Sequence, residues 1–593
     1  MPSSLRLART YVLRYRWRYL AGFAAVLCAS FVVMVPPVIL ARAIDELRSG
    51  LAGGEGVSRW DLALYGLLIV ALACIEGFMR FAGRLLVSGT SRRVEYEIRN
   101  DLAAHFMKMD QAFFLRSQTG DLMARCTNDL QLVRDLLGPS FIDLLRTLSM
   151  LVVGFVFLIS VNLKLGLIAF AYFPIVALLI GSCSAVVERK YREVQDQFGV
   201  LSTRVQENIS GMRTIKAYAQ EETETAGFAV ANKEMLRRSM SWAYWTAAMW
   251  PLMVVATGAS TVLVLWFGGR DVANGGMTLG EFVQFNAYLI ILANPLMSFG
   301  WTATAVQQGV ASLKRIGEVF DSRPTIVDGP AGPGAAAPHG DVSLRGVSFG
   351  YNGHPMLKDI SLEVPSGTMV AIVGATGSGK TTLVNLLARI WDPQAGSVSF
   401  DGTDIRELPL ASVREAVGFV PQETFLFSES LRDNIAYGRA EPTAELMEHA
   451  LTTSQLGNDL AQLTHGLDTV IGERGVTLSG GQKQRAALAR AIIKDPAVLV
   501  LDDALSHVDT HTEEEILHRL RHFAAQRTTF VVAHRTSTIA MADVIVVLEG
   551  GRIVEQGTHE ALLAGGGAYA RFYRRQLLAE QVEEIGVTGG AGT

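Results

Sequence analysis

A glycine-rich stretch with a single lysine follows a run of apolar residues typical of a buried strand. The run is Val370–Val373, and the residues after it are Gly374, Ala375, Thr376, Gly377, Ser378, Gly379, Lys380, Thr381 and Thr382. Glycines allow backbone N–H groups to close around a phosphate, and a helix that begins here presents its positive end to the same anion. The Lys380 ammonium would neutralise the β and γ phosphates of a nucleotide, and the Thr381 hydroxyl would bind Mg²⁺. The strand, the lysine and the threonine together predict an ATP-binding loop. A chance glycine-rich turn would not require all three of these features.

Two adjacent aspartates end a second apolar run. Ala497–Leu501 has the composition of a buried strand, and Asp502 and Asp503 follow it directly. An acid at the carboxyl end of a strand beside a phosphate loop completes the Mg²⁺ shell, so we assign Asp502 to the metal. Many buried strands end in aspartate, and the assignment therefore depends on the phosphate loop being present in the same domain.

A serine and two glycines begin another predicted helix. The stretch after Leu478 reads Ser479, Gly480, Gly481 and Gln482. A turn of this kind at a helix N-terminus is a second phosphate-binding site. Together with the phosphate loop, it closely resembles the signature motif of the ABC ATPase family. In that family the signature docks on the γ-phosphate of a nucleotide held by the opposite domain, so the resemblance implies two domains that enclose two ATP molecules.

Further positions match the same family in the same order. The resemblance implies that Tyr351 stacks on adenine, that Gln422 senses Mg²⁺ and the membrane domain, and that His534 lies near the γ-phosphate. Residues 472–475 match the exporter-type loop before the signature, and residues 506–509 match a loop that crosses the dimer interface. We therefore expect a metal site of Thr381, Gln422 and Asp502, and a catalytic set of Asp503, His534 and Gln422.

Asp503 departs from the family pattern, which usually has glutamate at this position to polarise the attacking water. The aspartate carboxylate ends one methylene short, on the order of 1–1.5 Å, and a misplacement near 1 Å can cost about 10²-fold in rate. The replacement resembles one subunit of the heterodimeric bacterial multidrug exporters, in which one of two ATP sites is degenerate. The alternatives are a homodimer with Asp503 as a slow working base, or a mainly regulatory partner that binds ATP.

The elements that position these residues belong to a chain with two kinds of sequence. The chain has 593 residues, which is too long for one compact core, and its mean hydropathy of +0.27 is unusual for a soluble protein. A bilayer crossing needs about 20 apolar residues in a helix, since backbone groups in lipid must bond within their own segment. Six stretches qualify, near residues 20–43, 62–87, 138–161, 165–187, 244–268 and 280–304.

The loops between these stretches differ in their content of arginine and lysine. The long segments after the second and fourth stretches are rich in both, whereas the loops near 44–61, 162–164 and 269–279 are poor in them. By the positive-inside rule, both termini and the ATP-binding domain face the cytoplasm. We expect a multi-pass protein of the bacterial cell membrane.

Composition also divides the chain into domains. From Asp341 strand-like runs alternate with helical ones, as in layered α/β domains. We expect a transmembrane domain at 1–320, a linker at 321–340, an ABC nucleotide-binding domain at 341–580 and a flexible tail at 581–593. Residues 113–129 and 211–221 resemble the two coupling loops of ABC exporters. The resemblance therefore implies a six-helix membrane α-helical domain with long cytoplasmic extensions, fused to an α/β P-loop ATPase.

The resemblance implies ATP-driven export of amphipathic small molecules, either drug-like compounds or membrane lipid, by a dimer with a second ABC half-transporter. The net charge of −4 gives no basis for expecting a nucleic-acid partner. Four cysteines show no paired or metal-ligand spacing and are expected to be reduced thiols. A soluble ABC factor is excluded by the six apolar stretches, and substrate identity is not encoded in composition.

Two charges, Glu76 and Arg80, lie within or at the edge of the second apolar stretch. Intramembrane charges normally face a cavity or a partner, which would give this pair a role in the substrate path. Their i,i+4 spacing with the acid first favours a local structural ion pair instead.

Overall fold

The computed structural model describes residues 3–53, 58–330, 338–472 and 478–589. The chain divides into two compact units, one comprising Met1–Lys108 with Ser117–Arg323 and the other Met109–Arg116 with Pro324–Thr593. The division after Arg323 falls within the predicted linker. The exact bounds of the four predicted segments stay predictions.

All regular elements among the described residues of the first unit are helices. The helices are α1 (Ser3–Arg14), α2 (Arg16–Val32), α3 (Pro36–Gly53), α4 (Arg59–Lys108), α6 (Thr119–Ala124), α7 (Leu130–Asp135), α8 (Phe141–Val161), α9 (Leu163–Ser210), α10 (Met212–Ala217), α11 (Glu221–Ala273) and α12 (Leu279–Asp321), with α5 (Gln111–Arg116) assigned to the second unit. Two π-helical turns, Arg125–Asp129 and Leu136–Ser140, lie within the stretch that joins α6 to α8.

The first predicted span, 20–43, is two helices rather than one. The chain leaves the helix after Val32 and re-enters it at Pro36, because Pro36 and Pro37 have no N–H to give to the preceding turn. The Tyr288 hydroxyl of α12 donates to the Met34 carbonyl oxygen at 3.0 Å, in a position where both residues are fully buried. A side chain from another helix thus gives the buried Met34 carbonyl oxygen a donor at this break in the helix.

Three helical stretches among the described residues are long and apolar enough to cross a membrane. They are Arg16–Gly50, Arg59–Lys108 and Thr119–Val161. The other three predicted spans lie inside α9, α11 and α12, helices of 48, 53 and 43 residues. The number of six spans stays a prediction. The predicted loop at 44–61 is partly helical, since α3 continues to Gly53.

The second unit is built on two sheets. The strands are β1 (Val342–Tyr351), β2 (His354–Val364), β3 (Met369–Gly374), β4 (Ala395–Phe400), β5 (Thr403–Asp404), β6 (Val417–Val420), β7 (Val498–Asp502), β8 (Thr528–Val532), β9 (Val544–Glu549) and β10 (Arg552–Gly557). A four-stranded antiparallel sheet has the order β2-β1-β4-β5, and a six-stranded sheet has the order β10-β9-β3-β8-β7-β6.

Helices cover the six-stranded sheet. Val370 and Ile372 of β3 belong to one apolar core and Ala371 and Val373 to another, so both faces of the strand are buried, as in parallel sheets generally. The helices are α13 (Lys380–Leu387), α14 (Leu410–Ala416), α15 (Leu431–Ala436), α16 (Ala444–Thr453), α17 (Gly480–Ile492), α18 (Thr510–Ala524), α19 (Thr536–Ala540), α20 (His559–Gly565) and α21 (Ala568–Gly589).

Candidate functional site

The residues predicted to bind phosphate follow β3, at one edge of the six-stranded sheet. Strands β3, β8 and β7 are parallel neighbours, so the segments after their carboxyl ends meet at that edge. They form a cleft of about 230 Å³. Its lining comprises Met356, Thr376, Gly377, Gly379, Lys380, Thr381, Thr382, Gln422, Asp502, Asp503, Val532 and His534.

The loop after β3 has the shape that glycine requires. A Cβ on Gly374 would lie 2.3 Å from the Leu548 carbonyl oxygen, which is too close for any side chain. Gly379 has φ +103° at the start of α13, in the region that favours glycine. The Ser378 hydroxyl is buried and has no hydrogen-bond partner within the described part of the chain. A concave loop with an unpaired buried hydroxyl fits a phosphate oxygen.

Lys380 enters the same loop from the first turn of α13. The residue is 7% exposed, and its Nζ donates to the carbonyl oxygens of Gly374 at 2.9 Å and Ala375 at 3.1 Å. Burial lowers the pKa of the ammonium, while the charges of Asp502 and Asp503 act in the opposite direction. An ammonium has three donors, so one remains for an anionic ligand in the cleft.

Three oxygen donors lie together at the wall of the cleft. The Thr381 hydroxyl donates to Asp502 Oδ1 at 3.2 Å, and Gln422 lines the same cleft. Asp502 is 2% exposed, and burial raises its pKa, although the Thr381 hydrogen bond lowers it. Hydroxyl, carboxylate and amide oxygens are ligands that a hard divalent cation accepts, so the donor set fits Mg²⁺.

Asp503 and His534 occupy the cleft end of β7 and β8. Asp503 has φ +49° and its backbone N–H donates to the Val532 carbonyl oxygen at 3.2 Å. Aspartate tolerates this left-handed region better than most residues, and such backbone outliers concentrate at functional sites. Burial lowers the pKa of His534, and the nearby Lys380 charge lowers it further against the effect of Asp503. The lowered pKa favours the neutral imidazole of His534.

A buried acid behind His534 was not predicted from the sequence. Glu513, in the first turn of α18, is 2% exposed, forms an ion pair with Arg535 and accepts a hydrogen bond from Thr538 at 3.1 Å. Arg535 also donates to the Val508 carbonyl oxygen at 3.0 Å. The pair joins the segment after β8 to the loop before α18. No spacing in the sequence indicates it, because its members come from separate segments.

The signature stretch lies outside the lining of this cleft. Ser479 is the N-cap of α17, where its Oγ accepts from the Gln482 backbone N–H at 3.3 Å and Gln482 Oε1 accepts from the Ser479 N–H at 3.0 Å. Gly480 and Gly481 lie against His507, whose carbonyl oxygen is 2.9 Å from the position of a Cβ on Gly481. Glycine at these two positions thus allows the His507 segment to approach the start of α17 closely.

Tyr351 also lies outside the cleft lining, at the end of β1. Its ring packs edge-on against Phe349 and Trp391, with ring centroids 5.0 and 5.4 Å away, and its hydroxyl lies 3.5 Å from Thr382 Oγ1. The ring is therefore beside the first turn of α13. Of the loop predicted at 472–475, residues 473–475 lie outside the described residues.

Sequence comparison identifies both units. The ABC transporter transmembrane region matches residues 19–296, and the ABC transporter domain matches residues 357–506. The probable multidrug resistance ABC transporter ATP-binding/permease protein YheI of Bacillus subtilis is 36% identical over 595 residues, which is 100% of this chain and of that protein. This chain belongs to the ABC transporter family.

Two further likenesses agree with that assignment. The ATP-dependent lipid A-core flippase of Desulfotalea psychrophila is 34% identical over 515 residues, 87% of this chain and 90% of that protein. A solved structure of a bacterial Atm1-family ABC exporter with ATP bound superimposes with a TM-score of 0.78 at 28% identity, over 95% of this chain and 99% of that chain.

The predicted fold class is confirmed as that of an exporter-type half-transporter. A helical transmembrane domain is fused to an α/β nucleotide-binding domain in one chain. The protein is an ATPase-coupled transporter of the membrane. The roles of individual residues in the cleft stay predictions.

Proposed function

We propose that this ABC half-transporter uses ATP to export amphipathic compounds across a bacterial cell membrane. One relative is named a probable multidrug resistance transporter and another a lipid A-core flippase, and these names support drug-like compounds or lipid as the exported class. Both termini and the nucleotide-binding domain lie in the cytoplasm. The excess of arginine and lysine in the long loops after the second and fourth spans supports this orientation.

ATP binds in the cleft at the edge of the six-stranded sheet. Gly374–Thr382 hold its phosphates, with the Lys380 ammonium neutralising charge there, and Tyr351 stacks on the adenine. Thr381, Gln422 and Asp502 would hold Mg²⁺, which supplies positive charge against the phosphate oxygens when bound. Two observations support the assignment of this loop to phosphate. The Ser378 hydroxyl has no partner among the described residues, and Lys380 Nζ uses only two of its three N–H donors on the loop carbonyl oxygens.

Ser479–Gln482 act on the ATP of a second half-transporter rather than on this chain's own. Their place outside the lining of the cleft supports this assignment. The backbone N–H groups at the start of α17 and the positive end of that helix favour a phosphate. The functional unit is therefore a dimer with a second ABC half-transporter.

The observation that carries the proposal furthest is Asp503 in the position where the family usually has glutamate. Water activation from the family's usual position therefore depends on a carboxylate whose reach is short by one methylene. We therefore infer a heterodimer in which this chain's own ATP site binds Mg-ATP but hydrolyses it slowly. The alternatives are a homodimer with Asp503 as its working base and a regulatory partner without useful turnover.

ATP hydrolysis by the purified chain, alone and with the second half-transporter, separates these functions. The heterodimer predicts negligible hydrolysis alone and fast hydrolysis that accompanies transport when the two chains are combined. Hydrolysis and transport by this chain alone would establish the homodimer. If the second chain transports equally well without this one, export is not this chain's function.

A further inference from the structure

A buried acid lies beside the signature stretch Ser479–Gln482, outside the motifs that the sequence predicts. Asp459 belongs to a short 3₁₀ helix, Leu456–Gln462, and is 7% exposed. Both oxygens of its carboxylate accept from Arg485 Nη2, at 2.8 and 2.6 Å. Gln482 Nε2 also donates to Asp459 Oδ1, at 3.4 Å. One carboxylate therefore contacts the first two turns of α17.

The ion pair of Asp459 with Arg485 is not explained by stability alone. The two side chains are 10% and 11% exposed, so both charges are largely withdrawn from water. Withdrawal of two charges from water is costly, and apolar side chains of similar size often stabilise a fold equally well. Arg485 Nε is also buried with no hydrogen-bond partner in the part of the chain that the structure describes. Such a pair is better explained by what it holds in place.

The neighbours of Gln482 select one orientation of its side-chain amide. Oε1 accepts from the Ser479 backbone N–H at 3.0 Å, and a backbone N–H can only donate. Nε2 faces Asp459 Oδ1, and an ionised carboxylate can only accept. If the amide turned over, two donors would meet at Ser479 and two acceptors at Asp459. The carboxylate thus favours the orientation in which Gln482 completes the capping box with Ser479.

A second contact holds the same end of α17 without charge. Gln484 is 3% exposed, its Nε2 donates to Ser506 Oγ at 2.9 Å, and its Oε1 accepts from the His507 backbone N–H at 2.9 Å. These bonds join the start of α17 to the segment predicted to cross the dimer interface. Asp459 and Arg485 join it to the 3₁₀ helix, so the N-terminus of α17 is held by two separate segments.

We propose that Asp459 is a positioning residue for the signature stretch. Its carboxylate, held by Arg485, orients the Gln482 amide, and the capping box then fixes the Ser479 side chain. Ser479 Oγ accepts from the Gln482 N–H at 3.3 Å, so its own O–H is left to donate to a phosphate. The assignment rests on the proposed function for the source of that phosphate, the ATP of the second half-transporter. The orientation of the amide is a property of the single chain, and it is measured without nucleotide.

Hydrogen exchange of the full chain in neutral detergent tests the positioning. Asp459→Asn replaces one acceptor by an NH₂ group, which cannot accept from Arg485 or Gln482. We expect the backbone amides of residues 478–485 to exchange about tenfold faster, since a hydrogen bond to a charged group is worth about that factor. Asp459→Glu keeps the carboxylate, and it should exchange at a rate between those of the wild type and Asp459→Asn.

Asp468→Asn is the matched control. Asp468 accepts from Arg432 Nε at 2.9 Å, but the two side chains are 71% and 49% exposed and lie outside α17. Exchange at 478–485 should therefore stay at the wild-type rate. Unchanged exchange in Asp459→Asn, or an equal acceleration in Asp468→Asn, would overturn the proposal. A variant that fails to fold is recognised by loss of ATP binding in the cleft, and Asp459→Glu then serves in place of Asp459→Asn.

Hydrolysis by the purified complex shows whether the orientation acts through the signature stretch. Asp459→Asn and Ser479→Ala should each lower the maximal rate about tenfold, since a misplacement near 1 Å can cost about 10²-fold and a smaller one costs less. The double variant should be no slower than the slower single variant, because both substitutions act on one cap. Multiplied effects would show that Asp459 acts on general stability, and they would overturn the positioning role.

The two measurements separate this inference from the proposed function. Faster exchange together with slower hydrolysis in Asp459→Asn supports both. Faster exchange with normal hydrolysis in both Asp459→Asn and Ser479→Ala contradicts the assignment of the signature stretch to the partner's ATP, while the orientation of the amide stands. If only Ser479→Ala slows hydrolysis, the orientation does not affect the reaction, and the role of Asp459 is overturned.

Discussion

At the scale of single residues, Lys380 is a buried cation that is only partly satisfied. Burial of an ammonium without a compensating charge is costly, and the lowered pKa of Lys380 expresses that cost. Its two bonds go to carbonyl oxygens, which stabilise the charge less than a carboxylate would. An anion in the cleft would therefore lower the free-energy cost of burying the Lys380 ammonium.

Lys380→Ala should reduce affinity for Mg-ATP at this chain's site by at least tenfold, because charge-assisted bonds to phosphate are lost. The transmembrane domain should fold normally, since both hydrogen bonds of the side chain go to its own loop in the other unit. Binding of a fluorescent ATP analogue measures the effect, and Lys358→Ala, an exposed lysine of β2, is the control. Unchanged affinity in Lys380→Ala would remove the lysine from its assigned role.

The placement of the cleft residues could be predicted, because parallel neighbouring strands bring their carboxyl ends to one edge. Lys380, Asp502 and His534 meet there from three distant segments. The Glu513–Arg535 pair could not be predicted, because its members meet only through the packing of α18 against the segment after β8. Motifs indicate residues that contact a ligand, whereas residues that hold the motif in place have no fixed spacing.

At the scale of elements, the break between α2 and α3 had a signal in the sequence. Pro36 and Pro37 lie in the middle of the first apolar stretch. A count of apolar residues does not register that proline interrupts a helix. The hydrogen bond from the Tyr288 hydroxyl to the Met34 carbonyl oxygen at this break could not be predicted, because the two residues are 254 positions apart. It depends on how α12 packs against α3, which is a property of the tertiary structure.

Tyr288→Phe should lower the free energy of unfolding of the transmembrane domain by about 1–3 kcal/mol, because the Met34 carbonyl oxygen would be buried without a donor. Denaturant unfolding in detergent measures the change. Tyr65→Phe removes an exposed hydroxyl that donates to Glu46 at 2.6 Å, and it should change the free energy by no more than about 0.5 kcal/mol. Equal effects of the two substitutions would show that the hydroxyl does not support the break.

Asp110 joins α5 to the segment after α12 within the second unit. Its carboxylate accepts hydrogen bonds from the backbone N–H and hydroxyl of Thr325 and from the Phe113 N–H at 3.1 Å. Burial raises the pKa of Asp110, but the Thr325 and Phe113 bonds together lower it more, so its pKa is below the ordinary value. A depressed pKa means that the carboxylate stabilises the fold above the unfolded-state value, about 3.9.

Asp110→Asn should therefore be less stable than the wild type at pH 7 and pH 5. The difference should shrink as the pH falls below about 4, because the wild-type carboxyl then takes up its proton and loses the same bonds. Urea unfolding of the full chain in detergent at pH 7, 5 and 3 measures this trend. Glu560→Gln, at an exposed position of α20, should show no such trend. A constant difference at all three pH values would exclude the carboxylate charge as the cause.

At the scale of the whole molecule, the proposed heterodimer gives this chain one complete half and one altered half of two composite ATP sites. Its signature stretch is complete, with Ser479 and Gln482 forming a capping box at the N-terminus of α17 and Gly480 and Gly481 between them. Its own cleft is lined by Lys380, Thr381, Gln422 and Asp502, the residues predicted to contact phosphate and metal, and has an acid of shorter reach at Asp503. Under this proposal the two halves act on different ATP molecules, so substitutions in them should have unequal effects on one measured rate.

Asp503→Asn should cost a heterodimer little ATP hydrolysis, since the site contributes little. Ser479→Arg should nearly stop hydrolysis and transport, because it places bulk and positive charge where the partner's phosphate docks. Thr443→Arg is the control for loss of a helix cap alone. It removes the N-cap of α16, where the Thr443 hydroxyl accepts a hydrogen bond from the Leu446 backbone N–H at 3.3 Å. Steady-state hydrolysis of the purified complex is the common measurement.

Asp503→Glu is the complementary change, because it restores the missing methylene without changing charge. Hydrolysis by the complex should rise as a second site becomes competent, with an upper limit near twofold if the two sites then work equally. Glutamate adopts the left-handed backbone of this position less readily than aspartate, whose φ here is +49°, so the gain should fall below that limit. If Asp503→Asn instead abolishes hydrolysis, Asp503 is the working base. The chain is then a homodimer with two equivalent sites.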